Sequence, residues 1–230
     1  MKKVVIGLSG GMDSATLLGY LLEQGFEVHC CIFCYGSKHG IWENKAAEDL
    51  IDFYQNKNFS IFGHIINLTE VFKDFTSSLL KSGGVIPNGH YTSESMKSTV
   101  VPGRNLIFSS ILAGLAESIK AEAIALGVHA GDHHIYPDCR PEFISNLDKT
   151  IQASTERKVK IIAPLLKMDK FGILKLGLMQ LKIPVPYALT RTCYTDNKLS
   201  CGECGSCTER LEAFTNLGVK DPIQYLTYEK

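Results

Sequence analysis

Near its start the chain reads Ser9-Gly10-Gly11-Met12-Asp13-Ser14, a polar, glycine-rich stretch between two apolar runs. The run before it, residues 4–8, has the composition of a buried strand, and the run after it, residues 15–22, has that of a helix. Adjacent glycines let the backbone turn tightly and approach an anion, while the start of a helix offers free N–H groups and partial positive charge. The stretch therefore predicts a phosphate-binding turn, to which Ser9 and Ser14 add hydroxyl donors.

This turn is neither a P-loop nor a dinucleotide-binding loop, because it lacks the Gly-Lys-Ser/Thr ending of the first and the G-x-G-x-x-G spacing of the second. It resembles the SGGxDS pyrophosphate loop of the ATP pyrophosphatase superfamily, whose members cleave ATP between the α and β phosphates and transfer AMP to a substrate oxygen. The resemblance implies that residues from Leu8 to Ser14 bind ATP and that Asp13 and Ser14 also take part in catalysis. A ligand-free strand-to-helix turn capped by Ser or Asp is the alternative.

Length and composition indicate one large globular domain, or one domain with a small appendage. The 230 residues carry 24 Lys and Arg against 24 Asp and Glu, so no overall charge favours tRNA or DNA as a partner. No apolar run approaches the length of a membrane span, and the N-terminus enters a strand without an apolar signal region. We therefore expect a cytoplasmic protein with neither a membrane nor a nucleic acid partner.

Short apolar runs alternate with longer amphipathic ones along the chain. Strands are predicted near residues 3–8, 28–33, 61–67, 123–128 and 159–163. Helices are predicted near residues 14–24, 43–55, 105–120, 170–181 and 207–217. This alternation predicts an α/β fold, with a doubly wound, mainly parallel five-stranded sheet covered on both faces and ligands beyond the carboxyl ends of its strands. The resemblance of the loop to that of the ATP pyrophosphatase superfamily further implies that the sheet is Rossmann-like, of the adenine nucleotide alpha hydrolase type.

Four of the eight cysteines are close together late in the chain, at Cys193, Cys201, Cys204 and Cys207. In a cytosolic chain clustered cysteines indicate metal or catalysis more often than disulfides, and four thiolates at this spacing predict a tetrahedral, structural Zn2+ site. An iron–sulfur cluster and four unrelated thiols are the alternatives. We expect an α/β domain over residues 1–190 and a zinc-binding segment over residues 191–230, packed on the same domain.

Two basic residues are candidates for contact with ATP phosphates. Arg104, followed by Asn105, opens an apolar helix, where a guanidinium can hold phosphate by two hydrogen bonds, although spacing alone favours a surface arginine at a turn. Lys170 starts another helix, where an ammonium can act as charge develops on the leaving pyrophosphate. Lys167 could do the same, and either lysine could be solvated. We take Arg104 and Asn105 as ATP-binding candidates, and Arg104 and Lys170 as catalytic candidates.

Polar and reactive side chains are dense just after the predicted fourth strand, over residues 132–140. Such crowding is costly in a core and reasonable in a site. Cys139 is predicted to pack, with a nucleophilic role as the alternative, and Asp138 and Arg140 to read a polar heterocycle edge. The turn-rich loop over residues 81–103 is expected to cover the substrate. The candidates for substrate contact in this region are Asp132, His133, Tyr136, Asp138 and Arg140.

Over about residues 2–225 the chain resembles the 7-cyano-7-deazaguanine synthase family. Five segments carry the resemblance: Ser9–Ser14, Tyr35-Gly36-x-x-His39, Val101–Asn105, Tyr136–Arg140 and the four late cysteines. It implies that ATP, with Mg2+, adenylates 7-carboxy-7-deazaguanine, that ammonia gives the amide, and that a second ATP leads to the nitrile used in queuosine biosynthesis. It also implies that Tyr35 and His39 contact the substrate and that the protein is a homodimer.

Two positions depart from the family pattern. Ser37-Lys38 stands where members often have Gln-Arg, and His134-Ile135 where many have Ser-Gly. These departures leave adenylation intact and leave open a relative of antiphage defence systems that stops at the amide or joins the acid to a protein. A tRNA thiolase of the same superfamily, with Cys34 or Cys139 carrying sulfur, is a second alternative. A zinc-stabilised nucleotide sensor without turnover is a third.

Overall fold

Five apolar runs pair as the parallel strands of one sheet in the computed structural model, which describes residues 1–88 and 94–226. The strands are β1 (Lys3–Gly7), β2 (Glu27–Cys34), β3 (Ile61–Asn67), β4 (Ala123–Ala125) and β5 (Lys160–Ile162). They lie in the order β3-β2-β1-β4-β5, so the chain changes direction across the sheet between β1 and β4. Open parallel sheets bind their ligands beyond the carboxyl ends of strands at such a point. The predicted fold class is confirmed.

Helices connect these strands and cover both faces of the sheet. In the described ranges they are α1 (Met12–Glu23), α2 (Gly40–Gln55), α3 (Thr69–Phe72), α4 (Arg104–Ser118), α5 (Pro141–Ser154), α6 (Lys170–Lys175) and α7 (Gly205–Leu217). Single turns of 3-10 helix occur at Glu94–Thr99, Ala130–His134, Pro137–Cys139 and Tyr187–Leu189. None of the helices in the described part of the chain combines the length and the apolar character that crossing a membrane requires.

Three of these helices differ from the predicted pattern, among them the one-turn helix α3, which is absent from the predictions. Helix α5 is absent from the predictions, although its apolar residues recur at helical spacing and are buried, and Pro141 occupies its first turn. The predicted helix over residues 170–181 is α6 followed by a π-helix, Leu176–Gln180. A side chain at Gly177 would place its Cβ 2.1 Å from the Tyr187 hydroxyl, so glycine lets Tyr187 pack directly against the widened helix.

The central strand β1 is buried on both faces. Val4 and Ile6 pack into the same cluster as Leu17 of α1, whereas Val5 packs on the other face with Leu112 of α4. All three β1 side chains are fully buried, as expected for a central strand of a parallel sheet. The glycine-rich turn that follows β1 is therefore anchored on a rigid strand.

Helix α7 is joined to the α/β part of the chain by a buried arginine. Arg210 donates from Nε and Nη2 to the two carboxylate oxygens of Asp221, at 2.7 and 2.9 Å. It also donates to Thr190 Oγ1 at 2.7 Å and to the Tyr187 carbonyl at 3.1 Å. All hydrogen-bonding nitrogens of this fully buried side chain are used, so α7 and the chain before it form one packed unit with the main core.

Candidate active site

A cavity of about 240 Å³ opens beyond the carboxyl ends of β1, β2 and β4. The predicted site residues on its wall are Leu8, Ser9, Gly11, Asp13, Ser14, Tyr35, His39, Arg104, Asn105, Asp132, Tyr136 and Lys170. The predicted site residues away from its wall, apart from the cysteines, are Gly10, Met12, His133, Asp138 and Arg140. Folding thus brings together segments that are far apart in the sequence.

The glycine-rich turn is held by its own hydroxyl groups. Ser9 Oγ lies 3.1 Å from Ser14 Oγ and accepts a hydrogen bond from the Gly11 N–H at 3.3 Å. Ser14 donates to the Gly11 carbonyl at 3.1 Å. Gly11 is the N-cap of α1 and has no side chain to satisfy the free N–H groups of the first turn. Those groups are available to an anion in the cavity.

Gly10 is required by both its backbone conformation and its surroundings. Its φ is +77°, and a Cβ there would lie 2.6 Å from the Glu43 carbonyl oxygen of α2. Its own carbonyl accepts a hydrogen bond from the Arg191 N–H at 2.8 Å. The neighbouring Met12 side chain is fully buried in the core, so only its backbone can face a nucleotide.

We expect Gly10→Ala to destabilise the protein by more than the roughly 1–3 kcal/mol of a strained backbone conformation, because α2 must also move away from the turn. The matched control is Gly25→Ala, where φ is +79° and no atom lies within 4 Å of the added Cβ. Chemical denaturation of both variants measures the difference. Equal losses of unfolding free energy would show that the approach of α2 to the turn has no energetic weight.

Lys170 is the centre of a buried group of charges. Its Nζ lies 2.8 Å from both carboxylate oxygens of Asp13, 3.2 Å from Oε2 of Glu209 and 3.1 Å from Nε2 of His129. Asp13 comes from α1, Lys170 from α6 and Glu209 from α7. His129 and Glu209 are absent from the predictions. The available signal for His129 was its position just after the fourth strand, and that for Glu209 was its position two residues after Cys207.

Burial and neighbouring charge oppose each other in this group. Burial alone would lower the pKa of Lys170, but the carboxylates of Asp13, Glu209 and Asp132 outweigh it and raise that pKa. Burial alone would raise the pKa of Asp13, but Lys170 and His129 reverse the effect and lower that pKa. Both Asp13 and Lys170 therefore stay ionised at neutral pH, and an ammonium is fixed beside the glycine-rich turn.

Arg104 supplies a second cation on the cavity wall. It lies at the start of α4 and donates from Nη1 to the Tyr35 hydroxyl at 3.4 Å. Burial raises the pKa of Tyr35, so the phenol keeps its proton. The guanidinium thus faces the cavity, and the surface location that the spacing favoured is wrong.

The residues after β4 divide between the cavity and local structure. Asp132 and Tyr136 line the cavity. Asp138 does not: its carboxylate accepts a hydrogen bond from the Asn105 backbone N–H at 2.9 Å, near the start of α4. A carboxylate there satisfies a free N–H group and the helix dipole, so the structure gives Asp138 a structural contact, and its contact with a heterocycle edge stays a prediction.

The side chains of Arg140 and His133 also lie outside the cavity wall. Arg140 is exposed and donates from Nε to the His133 carbonyl at 3.0 Å. Neither side chain lines the cavity. Tyr136 and Cys139, which lie between them in the sequence, do line the cavity. The structure thus shows a contact of Arg140 within this segment, and the expected contacts of His133 and Arg140 with the substrate stay predictions.

Cys139 lies on the cavity wall and is 3% exposed. Its Sγ accepts a hydrogen bond from Asn105 Nδ2 at 3.2 Å. Burial raises the pKa of this thiol well above its ordinary value. Because the thiolate is the reactive form, the geometry favours packing over nucleophilic attack.

The four late cysteines converge on one point. Their Sγ atoms all lie within 4.8 Å of one another. In a tetrahedral site with Zn–S bonds of about 2.3 Å the sulfur atoms are about 3.8 Å apart. The distances here are 3.5 Å from Cys193 to Cys201 and 3.9 Å from Cys201 to Cys207. The backbone N–H groups of Cys201 and Cys204 each donate to a sulfur at 3.3 Å, so the cluster can bind a metal ion as thiolates.

The chain around this cluster forms one wall of the cavity. The Arg191 guanidinium donates to the carbonyls of Thr195, Asn197 and Lys198, while its backbone N–H binds Gly10. Further lining residues from this part of the chain are Thr192, Tyr194 and Ser206. Sequence reasoning gave none of these residues a role, and their proximity to Cys193 and Cys207 was the available signal.

Neither departure from the family pattern lies on the cavity wall. Lys38 donates from Nζ to the carbonyl oxygens of Gly83 and Gly84, in the loop over residues 81–103. Ser37 is buried, and His134-Ile135 also lies outside the wall. The residues at which this chain departs from the family pattern are therefore not among those that line the described cavity.

The loop expected to cover the substrate is described only in part. Residues 89–93 lie outside the described residues, and the described remainder of 81–103 does not line the cavity. Its end does touch the wall, because Thr99 Oγ1 lies 2.8 Å from the Tyr136 hydroxyl. The loop thus supports a lining residue from behind.

Known proteins of queuosine biosynthesis match the chain over nearly its whole length. A family model described as queuosine biosynthesis protein QueC matches residues 3–218. The 7-cyano-7-deazaguanine synthase 2 of Colwellia psychrerythraea is 43% identical, covering 98% of this chain and 99% of its own. The 7-cyano-7-deazaguanine synthase of Caldicellulosiruptor saccharolyticus is 43% identical, covering 97% and 95%. Among solved structures, NMN synthetase from Francisella tularensis has a TM-score of 0.50 at 16% identity, covering 94% of this chain and 77% of that one, a likeness in fold alone.

Proposed function

Since the chain belongs to the queuosine biosynthesis protein QueC family, we propose that it is the ATP-dependent enzyme that converts 7-carboxy-7-deazaguanine and ammonia into 7-cyano-7-deazaguanine. Relatives named synthases support an enzyme. The observation that carries the proposal is one cavity that joins the glycine-rich turn, two fixed cations and an aromatic wall. Such a cavity suits a nucleoside triphosphate beside a flat, polar ring.

The ATP phosphates would bind at the turn. The free N–H groups at the start of α1 attract the β and γ phosphates, and Lys170 and Arg104 stabilise charge that develops on the leaving pyrophosphate. Mg2+ bound with ATP, held by the phosphates and the Asp13 carboxylate, would supply further charge neutralisation. A carboxylate is a poor electrophile, and transfer of AMP to its oxygen gives it a good leaving group.

The deazaguanine ring would occupy the aromatic part of the cavity wall. Phe33 and Phe108 both line the cavity and stack with ring centres 4.0 Å apart, which provides an apolar face. Asp132 and Tyr136, both on the wall, can bind the polar ring edge. Ammonia then displaces AMP to give the amide, a second ATP activates the amide oxygen, and loss of AMP leaves the nitrile.

We propose that the four cysteines hold one structural Zn2+ in a segment of residues 191–230 packed on the α/β domain of residues 1–190. All four positions of a tetrahedral ion would be taken by thiolates, which leaves none for a substrate. Sulfur atoms within 4.8 Å of one another suit a single ion better than a wider iron–sulfur cluster. The ion would then fix Tyr194 and Ser206 on the cavity wall.

Product analysis tests the proposal. The protein is incubated with 7-carboxy-7-deazaguanine, ATP, Mg2+ and ammonium, and mass spectrometry follows the deazaguanine, AMP and pyrophosphate. We expect the nitrile, with two ATP consumed for each nitrile formed. Amide or a protein adduct as the end product would favour the antiphage-type alternative, and the absence of pyrophosphate release would favour a nucleotide sensor. Burial raises the pKa of Cys139, which argues against Cys139 as the sulfur carrier of a tRNA thiolase.

A further inference from the structure

The cavity wall carries a buried nitrogen that has no partner. His39 is 2% exposed and lines the cavity, and its Nδ1 has no hydrogen-bond partner among the described residues. Buried polar atoms in folded proteins are almost always paired, so each exception calls for an explanation. An atom of a bound ligand is the direct explanation for an exception on a cavity wall.

The other ring nitrogen of His39 is already engaged. Nε2 lies 3.3 Å from Oε2 of Glu43, one turn further along the chain at the start of α2. Glu43 also lines the cavity. A carboxylate at this distance holds the ring proton on Nε2 and fixes the ring, which leaves Nδ1 with a free lone pair. The pair therefore has the form of an oriented proton acceptor.

Other titratable groups on the wall are less suited to accept a proton. Burial raises the pKa of Tyr35, Tyr194 and Cys139, so these groups hold their protons. Lys170 is an ammonium, and both carboxylate oxygens of Asp13 accept its hydrogen bonds. Asp132, 3.5 Å from His129 Nε2, is the rival that an experiment must separate from His39.

We propose that His39 accepts the proton released by the reacting nitrogen and that Glu43 is its positioning residue. The inference rests on the proposed function. In the first stage the ammonia nitrogen forms a bond to the carbonyl carbon of the acyl-adenylate and passes a proton to Nδ1. The C–O bond to AMP breaks, and its electron pair leaves with AMP.

The same atom serves the second stage. Adenylation of the amide oxygen releases pyrophosphate and leaves two hydrogens on a positively charged nitrogen, and Nδ1 takes the first of them as a proton to give the neutral imidate that carries AMP through oxygen. After His39 has passed that proton to water, Nδ1 takes the second hydrogen as a proton, and the N–H electron pair becomes the last bond of the nitrile. The C–O bond breaks at the same time, with its electron pair leaving on AMP. His39 releases each proton to water between the stages.

The test separates adenylation from the ammonia-dependent steps. Exchange of labelled pyrophosphate into ATP, measured with the deazaguanine acid and no ammonia, reports adenylation alone. We expect His39→Asn to slow amide formation by about 10²–10⁴-fold more than it slows this exchange, because that factor is the usual contribution of a positioned acid or base, whereas a lost substrate contact would lower both rates. Glu43→Gln should show a smaller change in the same direction. The matched controls are His64→Asn, on β3 outside the cavity, and Glu48→Gln, exposed on α2.

Chemical rescue distinguishes a proton acceptor from a structural residue. In His39→Gly the ring is removed, and added imidazole should restore amide formation in proportion to its concentration. His64→Gly should show no such response. A purely structural role for His39 would not produce rescue by a free base.

Three outcomes would overturn the inference: equal loss of exchange and amide formation without rescue, no loss of either, or selective loss in Asp132→Asn with His39→Asn unaffected. Failure of the proposed function looks different, because the wild-type protein would then show no pyrophosphate exchange with the deazaguanine acid, or would show exchange and form no nitrile. Failure of the inference about His39 is therefore seen in the variants, whereas failure of the proposed function is seen in the wild-type protein.

Discussion

Replacement of Lys170 by methionine is expected to lower ATP-dependent pyrophosphate release by about 10²–10³-fold or more, because a fixed cation beside the leaving group is lost. The same change leaves the carboxylates of Asp13 and Glu209 without their partner in a largely buried place. Loss of one member of such a group costs up to about 3–5 kcal/mol of unfolding free energy. Steady-state pyrophosphate release and thermal unfolding measure the two effects.

Two variants separate catalysis from stability. Lys167→Met removes an exposed lysine close by in the sequence and should change neither quantity. Glu209→Gln removes a charge from the same buried group but keeps the ammonium, so it should lose stability while retaining much more pyrophosphate release than Lys170→Met. Pyrophosphate release by Lys170→Met at the rate of Lys167→Met would contradict the assigned role.

Replacement of Cys204 by serine is expected to remove the bound metal and to unfold the segment around it. Structural zinc contributes apparent binding energies of about 10–16 kcal/mol in small zinc domains, which is comparable to the whole stability of a typical protein. Because Tyr194 and Ser206 on the cavity wall are next to the metal ligands, ATP turnover should fall together with metal content. Elemental analysis and thermal unfolding of the purified protein measure metal content and stability.

The matched control is Cys34→Ser, a cysteine outside the four-cysteine cluster. We expect it to keep about one zinc per chain, as a single four-thiolate site requires. Chelation of the wild-type protein should reproduce the Cys204→Ser result. Unchanged metal content and melting temperature in Cys204→Ser would refute a structural metal, and iron in place of zinc would restore the iron–sulfur alternative.

Local patterns were sufficient to predict the fold class. The strands appear as short apolar runs because strands buried on both faces need apolar side chains at every position. Helix α5 also has a signal in the sequence, an apolar spacing of three and four residues after Pro141, although it is absent from the predicted elements. The break after α6 had no such signal, since it depends on how Tyr187 packs against Gly177.

The glycine-rich turn and the four-cysteine cluster could be predicted from sequence order, because the residues of each lie close together along the chain. The structure confirms that the four cysteines converge, while the nucleotide contacts of the turn stay a prediction. Asp138 and Arg140 lie in an equally dense polar string, but hydrogen bonds to Asn105 and His133 take them away from the cavity. Density of polar residues does not show which way each side chain points.

The sequence by itself determined the parallel sheet, the glycine-rich strand-to-helix turn and the cluster of four cysteines, because each follows from residues that lie close together in the chain. Tertiary structure decided which side chains share the cavity. The Lys170 ammonium meets Asp13 and Glu209 from three different helices, and the unpartnered Nδ1 of His39 is defined by everything packed around it. Charge pairing and burial act through space, and no pattern along the chain records the distances on which they depend.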